Sequence, residues 1–141
     1  MIDPWKFEAG KEYRRSLYGA FFGPGQARLD DRYHSVIRRF AREIAEGTVS
    51  VHRLSSAEAA KHFPDNYFDW VSIDGNHLFP FVKADLETYA AKLKPGGFIT
   101  GDDYGVAGWW RDGVTKAVDE FVSQRRLPHL LTRNGQFLLK Y

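Results

Sequence analysis

Residues 68–77, Phe68-Asp69-Trp70-Val71-Ser72-Ile73-Asp74-Gly75-Asn76-His77, join a mostly apolar run to a polar turn. A short apolar run is typical of a strand whose two faces are both covered, as in a parallel sheet between helices. The sequence therefore predicts a strand over Phe68–Ile73. Ligands in such sheets bind beyond the carboxyl ends of the strands, so Asp74–His77 is the first candidate site.

The alternation of helix and strand continues after this stretch. Apolar residues at helical spacing predict a helix over Leu78–Leu93, and Lys94-Pro95-Gly96-Gly97 predicts a turn. A second buried strand is predicted over Phe98–Gly101, and it ends at Asp102 and Asp103. Two strands of the sheet therefore end in carboxylates.

The last part of the chain predicts a helix and a hairpin. Apolar residues recur at helical spacing over Asp112–Gln124. Two short apolar runs, Leu127–Thr132 and Gln136–Lys140, flank the turn residues Arg133-Asn134-Gly135. This arrangement is typical of an antiparallel β-hairpin.

The first part of the chain gives a weaker signal. Residues 1–28 are rich in glycine and aromatic residues and predict a loop-rich arm, with a short helix at Lys11–Leu17. A clear helical period follows, which Asp30 or Asp31 can cap and Gly47 can end.

A strand is predicted next, over Thr48–Leu54. Ser55 and Glu58 then have the spacing of a capping box, which predicts a short helix to His62. The complete pattern predicts one α/β domain over residues 1–141, with a mainly parallel sheet and a C-terminal antiparallel hairpin.

Composition narrows the class of protein. The 141 residues are 43% hydrophobic and 27% charged, which is a globular composition. Neither a membrane-spanning apolar run nor a leader pattern is evident, so we expect a cytoplasmic protein without a membrane partner. The chain lacks cysteine, and its net charge of +2 is small for a nucleic-acid-binding protein.

Three carboxylates carry the strongest chemical signal. Asp74, Asp102 and Asp103 follow predicted neighbouring strands, and carboxylates brought together repel one another. A hard cation such as Mg²⁺ removes that repulsion, and it could also bind a substrate hydroxyl and lower its pKa. The alternative is that these residues are solvated or hold turns, and the sequence leaves both interpretations open.

His77 lies three residues after Asp74 and could be a general base or a metal ligand. A histidine in a loop is also commonly a polar surface residue. Trp5, Trp109 and Trp110 could stack on a bound ring, although large aromatic residues more often pack inside the protein.

Asp3 and Ser55 each have two interpretations as well. An acid after a strand of a nucleotide-binding sheet accepts hydrogen bonds from ribose hydroxyls, whereas an Asp before Pro commonly forms a turn. Ser55 could touch an adenine edge, but its capping role already accounts for it.

Taken together, these segments resemble class I S-adenosylmethionine-dependent methyltransferases, and most closely the metal-dependent O-methyltransferases of sugars and macrolides. The resemblance covers roughly residues 30–125 and depends on the order of its motifs, since none of them is specific alone. The motifs are Ile2-Asp3-Pro4-Trp5, Ser55-Ser56-Ala57-Glu58-Ala59-Ala60, Phe68–His77, Val82-Lys83-Ala84-Asp85-Leu86, Leu93-Lys94-Pro95-Gly96-Gly97 and Gly101-Asp102-Asp103-Tyr104.

The resemblance implies a Rossmann-like sheet and a role for each matching position. Asp3 matches the acid that holds the cofactor ribose, and Ser55 and Ser56 match the loop beside the adenine. The cofactor-binding residues that it implies are Asp3, Trp5, Ser55, Ser56 and Asp74. The metal ligands that it implies are Asp74, Asp102 and Asp103. Some relatives have an acid as the proposed base where this chain has Asn76, so His77 is the expected catalytic base.

The resemblance also shows what this sequence lacks. The family begins with a strand and a glycine-rich turn that are absent here, so the fold class is an N-terminally truncated methyltransferase sheet. Loss of that strand would leave sheet edges unpaired. Three explanations are open: the sequence is a truncated gene product, the fold closes up without that strand, or a second copy supplies the missing pairing. We expect the last of these, a homodimer, with the arm of residues 5–28 as a contact surface.

The resulting hypothesis is a methyltransferase that transfers a methyl group from S-adenosylmethionine to a hydroxyl of a small-molecule substrate, assisted by Mg²⁺. One alternative is a degenerate, non-catalytic domain of the same fold that acts through self-association. Another is a metal-dependent hydrolase that uses the same carboxylates.

Overall fold

The computed structural model describes residues 1–19, 25–127 and 130–140. The chain forms two compact units, Met1–Ala59 and Ala60–Tyr141, which are called here the first and the second unit. None of the helices in the described part is long and apolar enough to cross a membrane.

The first unit consists mainly of helices. A 3₁₀ turn lies at Lys11–Tyr13, and the described residues of this unit form α1 (Gly25–Arg39), α2 (Ala41–Ala45) and α3 (Ser56–Ala59). Ile2 and His52 form a single parallel bridge. The side chains of Trp5, Tyr13 and Leu29 are buried.

The second unit contains the sheet. After a 3₁₀ turn at Ala60–His62 come β1 (Phe68–Ile73), α4 (Phe79–Ala90), β2 (Leu93–Gly101), α5 (Gly113–Arg125), β3 (Leu130–Arg133) and β4 (Gln136–Lys140). The spatial order of the strands is β1-β2-β4-β3. β1 and β2 pair in parallel, whereas β4 pairs antiparallel with both β2 and β3. The α/β architecture with a terminal hairpin is therefore confirmed, but the sheet is mixed rather than mainly parallel, with one parallel and two antiparallel pairs among the described strands.

One face of this sheet carries the core of the second unit. Alternate residues of the strands point to that face and pack with α4 and α5, as the fully buried Ile99 and Leu139 show. Leu86 of α4 and Val118 of α5 are fully buried in the same cluster. The opposite face carries exposed apolar side chains, including Trp70 at 63% exposure.

Several predicted boundaries are confirmed by the structure. Phe68–Ile73 and Gln136–Lys140 are strands over the predicted ranges. The capping box is also present, since the Ser55 hydroxyl accepts a hydrogen bond from the Glu58 backbone and Glu58 accepts one from the Ser55 backbone. The hairpin turn has positive φ at both Asn134 and Gly135, as a two-residue type I′ turn requires.

The predicted strand over Thr48–Leu54 is wrong. Only His52 of this segment forms a bridge, and its partner Ile2 belongs to no strand. A strand is stable only where a neighbour pairs along its length, and the described residues supply a single pairing position.

The helices and the second buried strand differ from prediction at their ends. The predicted helix at Lys11–Leu17 is only a 3₁₀ turn, and the next helix begins at Gly25, so neither Asp30 nor Asp31 caps it. α4 is shorter than the predicted Leu78–Leu93 and α5 is displaced by one residue. The range of β2 includes the turn predicted at residues 94–97. β3 begins at Leu130, whereas the predicted strand begins at Leu127; residues 128 and 129 lie outside the described part.

Candidate functional site

The carboxyl ends of β1 and β2 bring Asp74, His77 and Asp103 together. One nitrogen or carboxylate oxygen from each of the three lies within 4.8 Å of the others. The distance from Nε2 of His77 to Oδ1 of Asp74 is 3.3 Å, and the distance from Nδ1 to Oδ2 of Asp103 is 3.2 Å. Both ring nitrogens of His77 therefore face a carboxylate.

The imidazole of His77 is nearly enclosed, with 17% of its side chain exposed. Its Nδ1 is buried and, although it lies at ion-pair distance from Asp103, the two groups are not aligned as a hydrogen bond. A buried polar atom without a hydrogen bond is costly, so this geometry favours a further ligand at the site.

Asp103 has an unusual backbone and an unusual carboxyl group. Its φ of 65° is in the left-handed region, which Asp adopts more readily than most residues. Burial raises the pKa of Asp103 above its usual range; the His77 charge opposes this, and the charges of Asp102 and Asp74 add to it. A bound cation would lower that pKa and offset the repulsion among the carboxylates.

Two tryptophans cover His77. Trp110 meets the imidazole edge-on at a centroid distance of 4.6 Å, and Trp109 lies nearly parallel to it at 6.4 Å. The indole Nε1 of Trp110 is buried and has no hydrogen-bond partner in the described part of the chain. The two indoles limit the access of water to the imidazole, and the sequence had indicated them only as possible stacking residues.

Backbone contact fixes the start of α5 beside this histidine. A Cβ atom at Gly113 would lie 2.5 Å from the backbone oxygen of His77 and 2.8 Å from the nitrogen of Phe79. Such contacts are shorter than real Cβ atoms make, so only glycine allows this close approach.

Asp102 lies apart from the group that Asp74, His77 and Asp103 form among the described residues. Its side chain lines a concavity of about 500 Å³ on the sheet face that carries Trp70 and Thr100. Asp74 borders the same concavity. β2 ends at Gly101, and the left-handed φ of Asp103 departs from strand geometry, which separates its carboxylate from that of Asp102.

The remaining predicted site residues lie in the first unit. Oδ1 of Asp3 accepts a hydrogen bond of 2.6 Å from the Trp5 backbone, and no hydrogen bond to Oδ2 occurs among the described residues. Burial raises the pKa of Asp3, and the Trp5 N–H and the Arg32 charge oppose that change. Trp5 and Ser55 line a concavity of about 630 Å³, whereas Ser56 lies at the start of α3.

The same concavity involves residues that sequence reasoning missed. Gln26 donates hydrogen bonds to the Trp5 carbonyl and to Asp30, and the Arg53 guanidinium pairs with Asp30. Hydrogen bonds from Arg53 and Gln26 hold the pKa of Asp30 below its usual range. Gln26 and Asp30 are four residues apart on α1, but Trp5 and Arg53 are distant from them in the sequence, so only the folded chain shows the network.

The residues present fit the two groups that the sequence resemblance implies, a divalent cation and the ribose of the methyl donor. Two carboxylates and one imidazole are a suitable ligand set for a divalent cation, and the unbonded Nδ1 of His77 supports this fit. The partly buried Asp3 carboxylate, with one oxygen uncommitted, fits a ribose diol.

The comparison with protein families agrees with this geometry. Residues 1–104 match the family described as "Methyltransferase domain". The chain therefore belongs to the methyltransferase domain family, whose methyl donor is S-adenosylmethionine. No protein of curated function matches the sequence.

Solved structures show the same fold. The O-methyltransferase NovP superposes with a TM-score of 0.56 at 15% identity, over 99% of this chain and 57% of that chain. A Corynebacterium glutamicum protein gives a TM-score of 0.52 at 16% identity, over 99% of this chain and 58% of the other. A possible exported protein from Bordetella parapertussis gives 0.54 at 10% identity, over 78% and 50%.

These likenesses confirm the Rossmann-like methyltransferase fold and leave the reaction open. The chain spans between 50% and 58% of the length of the three solved structures.

Proposed function

We propose that this chain acts in the transfer of a methyl group from S-adenosylmethionine to a hydroxyl of a small molecule, with a divalent cation at Asp74, His77 and Asp103. The observation that carries the proposal is the convergence of these three side chains at the carboxyl ends of two parallel strands. Family membership supplies the methyl donor.

The reaction requires a group that removes a proton. Methyl transfer forms a carbon–oxygen bond and breaks the carbon–sulfur bond of the donor, and the hydroxyl proton must leave the acceptor. His77 is the proposed acceptor of that proton, since its two ring nitrogens are the basic atoms at the site. The carboxylates at 3.2 and 3.3 Å would stabilise the resulting imidazolium.

A bound divalent cation would supply a Lewis acid that lowers the pKa of the acceptor hydroxyl. Asp74 and Asp103 would hold it through carboxylate oxygens. The sequence leads us to expect Mg²⁺. Because the cluster also contains an imidazole nitrogen, and nitrogen ligands suit transition metals, Mn²⁺ is a second candidate. His77 can serve only one of these roles at a time, because an imidazole that binds the cation through one nitrogen carries its proton on the other. As the proton acceptor, His77 would lie beside a cation held by Asp74 and Asp103.

The donor itself is assigned to residues of the first unit. Asp3 would accept hydrogen bonds from the ribose hydroxyls through its uncommitted oxygen, and Trp5 and Ser55 would line the space for the adenine. The Ser55 hydroxyl already bonds to Glu58 at 2.6 Å, so we expect its contact with adenine to be through the backbone.

The decisive experiment is calorimetric titration of S-adenosylhomocysteine into the purified chain, with and without Mn²⁺ or Mg²⁺. We expect micromolar binding, and weaker binding when Asp3 is changed to Asn, because a neutral amide is a poorer acceptor for the ribose diol. Asp31→Asn is the matched control, since Asp31 lies on α1 and does not line the concavity.

Failure of a folded chain to bind the cofactor product would contradict the proposal. Equal weakening by Asp3→Asn and Asp31→Asn would remove Asp3 from the cofactor site. Binding of S-adenosylhomocysteine combined with no cation binding would retain the methyltransferase and reject the metal.

Self-association is a second candidate function, favoured by one observation. β1 lies at the edge of the four-stranded sheet, and its Trp70 is 63% exposed on the face away from α4 and α5. An exposed edge strand is a template for pairing with another chain. We propose a homodimer formed in this way.

Sedimentation of the wild type and of a Trp70→Ser variant tests the dimer. We expect the variant to dissociate at protein concentrations where the wild type remains dimeric. Phe81→Ser is the control, since Phe81 is 48% exposed on α4 rather than on the sheet. A monomeric wild type would reject the dimer.

A further inference from the structure

The loop that follows β2 holds Asp103 in a conformation that it would not keep unaided. The φ of 65° at Asp103 and of 74° at Gly105 places two residues of this loop in the left-handed region. A residue with a side chain is disfavoured there and persists only where its surroundings hold it. The contacts of the loop show which residues hold Asp103 in this conformation.

Three hydrogen bonds fasten this loop to the rest of the second unit. The Tyr104 backbone donates to the Gly135 carbonyl at 2.7 Å. The Gly105 backbone donates to Oγ1 of Thr115 at 2.8 Å, and the Tyr104 hydroxyl donates to Oδ1 of Asp119 at 2.7 Å. The loop is therefore tied both to the hairpin turn and to α5.

The two side-chain contacts come from one face of α5. Thr115 and Asp119 are four residues apart, so they lie one above the other on the helix. α5 itself begins at Gly113, against the backbone of His77. The same helix therefore contacts both the histidine segment and the Asp103 loop.

We propose that Tyr104 and Thr115 are positioning residues, which set the carboxylate of Asp103 opposite Nδ1 of His77 by fastening the Asp103 loop to α5. The inference rests on the proposed function, because it assigns these residues to the proposed cation site. Neither residue belongs to the cluster of Asp74, His77 and Asp103. They act through Asp103 alone.

The matched variants remove single contacts and leave the packing. Tyr104→Phe keeps the ring, which packs against the core, and removes the hydroxyl that bonds to Asp119. Thr115→Val keeps the shape of the side chain and removes the acceptor for Gly105. Asp119→Asn retains an acceptor oxygen, whereas Asp119→Leu does not. Tyr67→Phe, at an exposed tyrosine in the same unit, is the control for loss of a hydroxyl.

The full chain is measured in two ways. The first is its Mn²⁺ affinity. The second is the conformation of the loop, followed by the exchange rate of the Tyr104 and Gly105 amides and by the backbone coupling constant of Asp103. We expect Tyr104→Phe, Thr115→Val and Asp119→Leu each to weaken Mn²⁺ binding by about 10-fold, as residues behind metal ligands do. Amide exchange in the loop should become faster in the same variants. Asp119→Asn and Tyr67→Phe should remain close to the wild type in both measurements.

The outcomes separate this inference from the proposed function. Unchanged Mn²⁺ affinity in the three variants, in a wild type that binds Mn²⁺, would overturn the positioning role. Absence of Mn²⁺ binding by the wild type would reject the cation site, and the coupling constant of Asp103 then decides the positioning role. A value that changes in Tyr104→Phe and Thr115→Val supports it, and an unchanged value overturns it.

Discussion

Adjacent aspartates at the end of β2 have different surroundings. Asp103 faces His77, whereas Asp102 borders the open side of the sheet with Trp70. Both residues follow Gly101, the last residue of β2, and of the two only Asp103 has a left-handed backbone. A sequence can predict that carboxylates gather at the edge of a sheet, but the left-handed backbone of Asp103 decides which of them faces His77.

The pair provides an internal comparison for cation binding. Asp103→Asn removes a charged ligand, so we expect the Mn²⁺ affinity to fall by at least about 10-fold. Asp102→Asn removes a nearby charge but no ligand, so we expect a decrease of about 3-fold or less, set by screened electrostatics. Calorimetric titration of Mn²⁺ measures both, and equal losses would contradict the assignment.

Tyr89 provides a test of the core at high pH. Burial, with a smaller contribution from the Asp85 charge, raises the pKa of Tyr89 to about 12 from an ordinary value of 10.0. The folded chain therefore holds the phenolic proton more tightly than the unfolded chain. This contribution to stability is complete below pH 10 and is lost as the pH rises towards 12.

We expect the stability of the wild type to fall more steeply above pH 10 than that of Tyr89→Phe. The difference should reach about 1 kcal/mol near pH 11 once solvent screening is allowed for. Urea unfolding at several pH values measures it. Parallel pH profiles of the two proteins would show that Tyr89 holds its phenolic proton no more tightly in the folded chain than in the unfolded chain.

At the scale of the element, the position of α5 depends on a glycine at its first residue. A Cβ at Gly113 would meet backbone atoms of His77 and Phe79. The substitution Gly113→Ala must therefore move either the start of α5 or the backbone between His77 and Phe79. We expect a loss of about 1–3 kcal/mol in the free energy of unfolding, as for other overpacked sites. Gly75→Ala is the control, since its Cβ would make only an ordinary 3.7 Å contact. Urea unfolding that gave equal losses would contradict the steric argument.

The elements also show how far the sequence determines the fold. Local signals were sufficient to predict the Asn134-Gly135 turn and the capping box of Ser55, because each involves residues no more than three positions apart in the sequence. The segment Thr48–Leu54 has the composition of a strand but only one bridging residue, since strand formation depends on a partner elsewhere in the chain. β2 runs from Leu93 to Gly101, but its ladder with β1 is interrupted around Pro95. Leu93 pairs with Phe68 and Phe98 with Trp70, so the predicted turn residues lie in an irregularity of the strand.

The candidate site was predictable to a similar extent. Asp74, His77 and Asp103 were identified from their positions after apolar strands. Tyr104, Thr115 and Asp119 were not, because hydrogen bonds between a loop and a helix leave no periodic signal. Residues that carry charge at a sheet edge are therefore easier to find than the residues that hold them.

At the scale of the molecule, the core of the second unit depends on its last strand. Leu139 is fully buried and packs with Ile99 and Val118. Leu139→Ala should cost about 2–5 kcal/mol in the free energy of unfolding, as removal of a buried leucine does. Leu131→Ala should change it by less than about 0.5 kcal/mol, because Leu131 is 63% exposed. Chemical denaturation compares the two, and similar losses would contradict the burial pattern.

The position of β4 has a consequence for biosynthesis. This strand is made after all the others, yet it lies inside the sheet, between β2 and β3. While the ribosome is still adding residues before Gln136, β2 has an open edge and the core lacks Phe137 and Leu139. The nascent second unit therefore exposes the unpaired edge of β2 until Gln136–Lys140 has been synthesised, and a chaperone would be of most use during that interval.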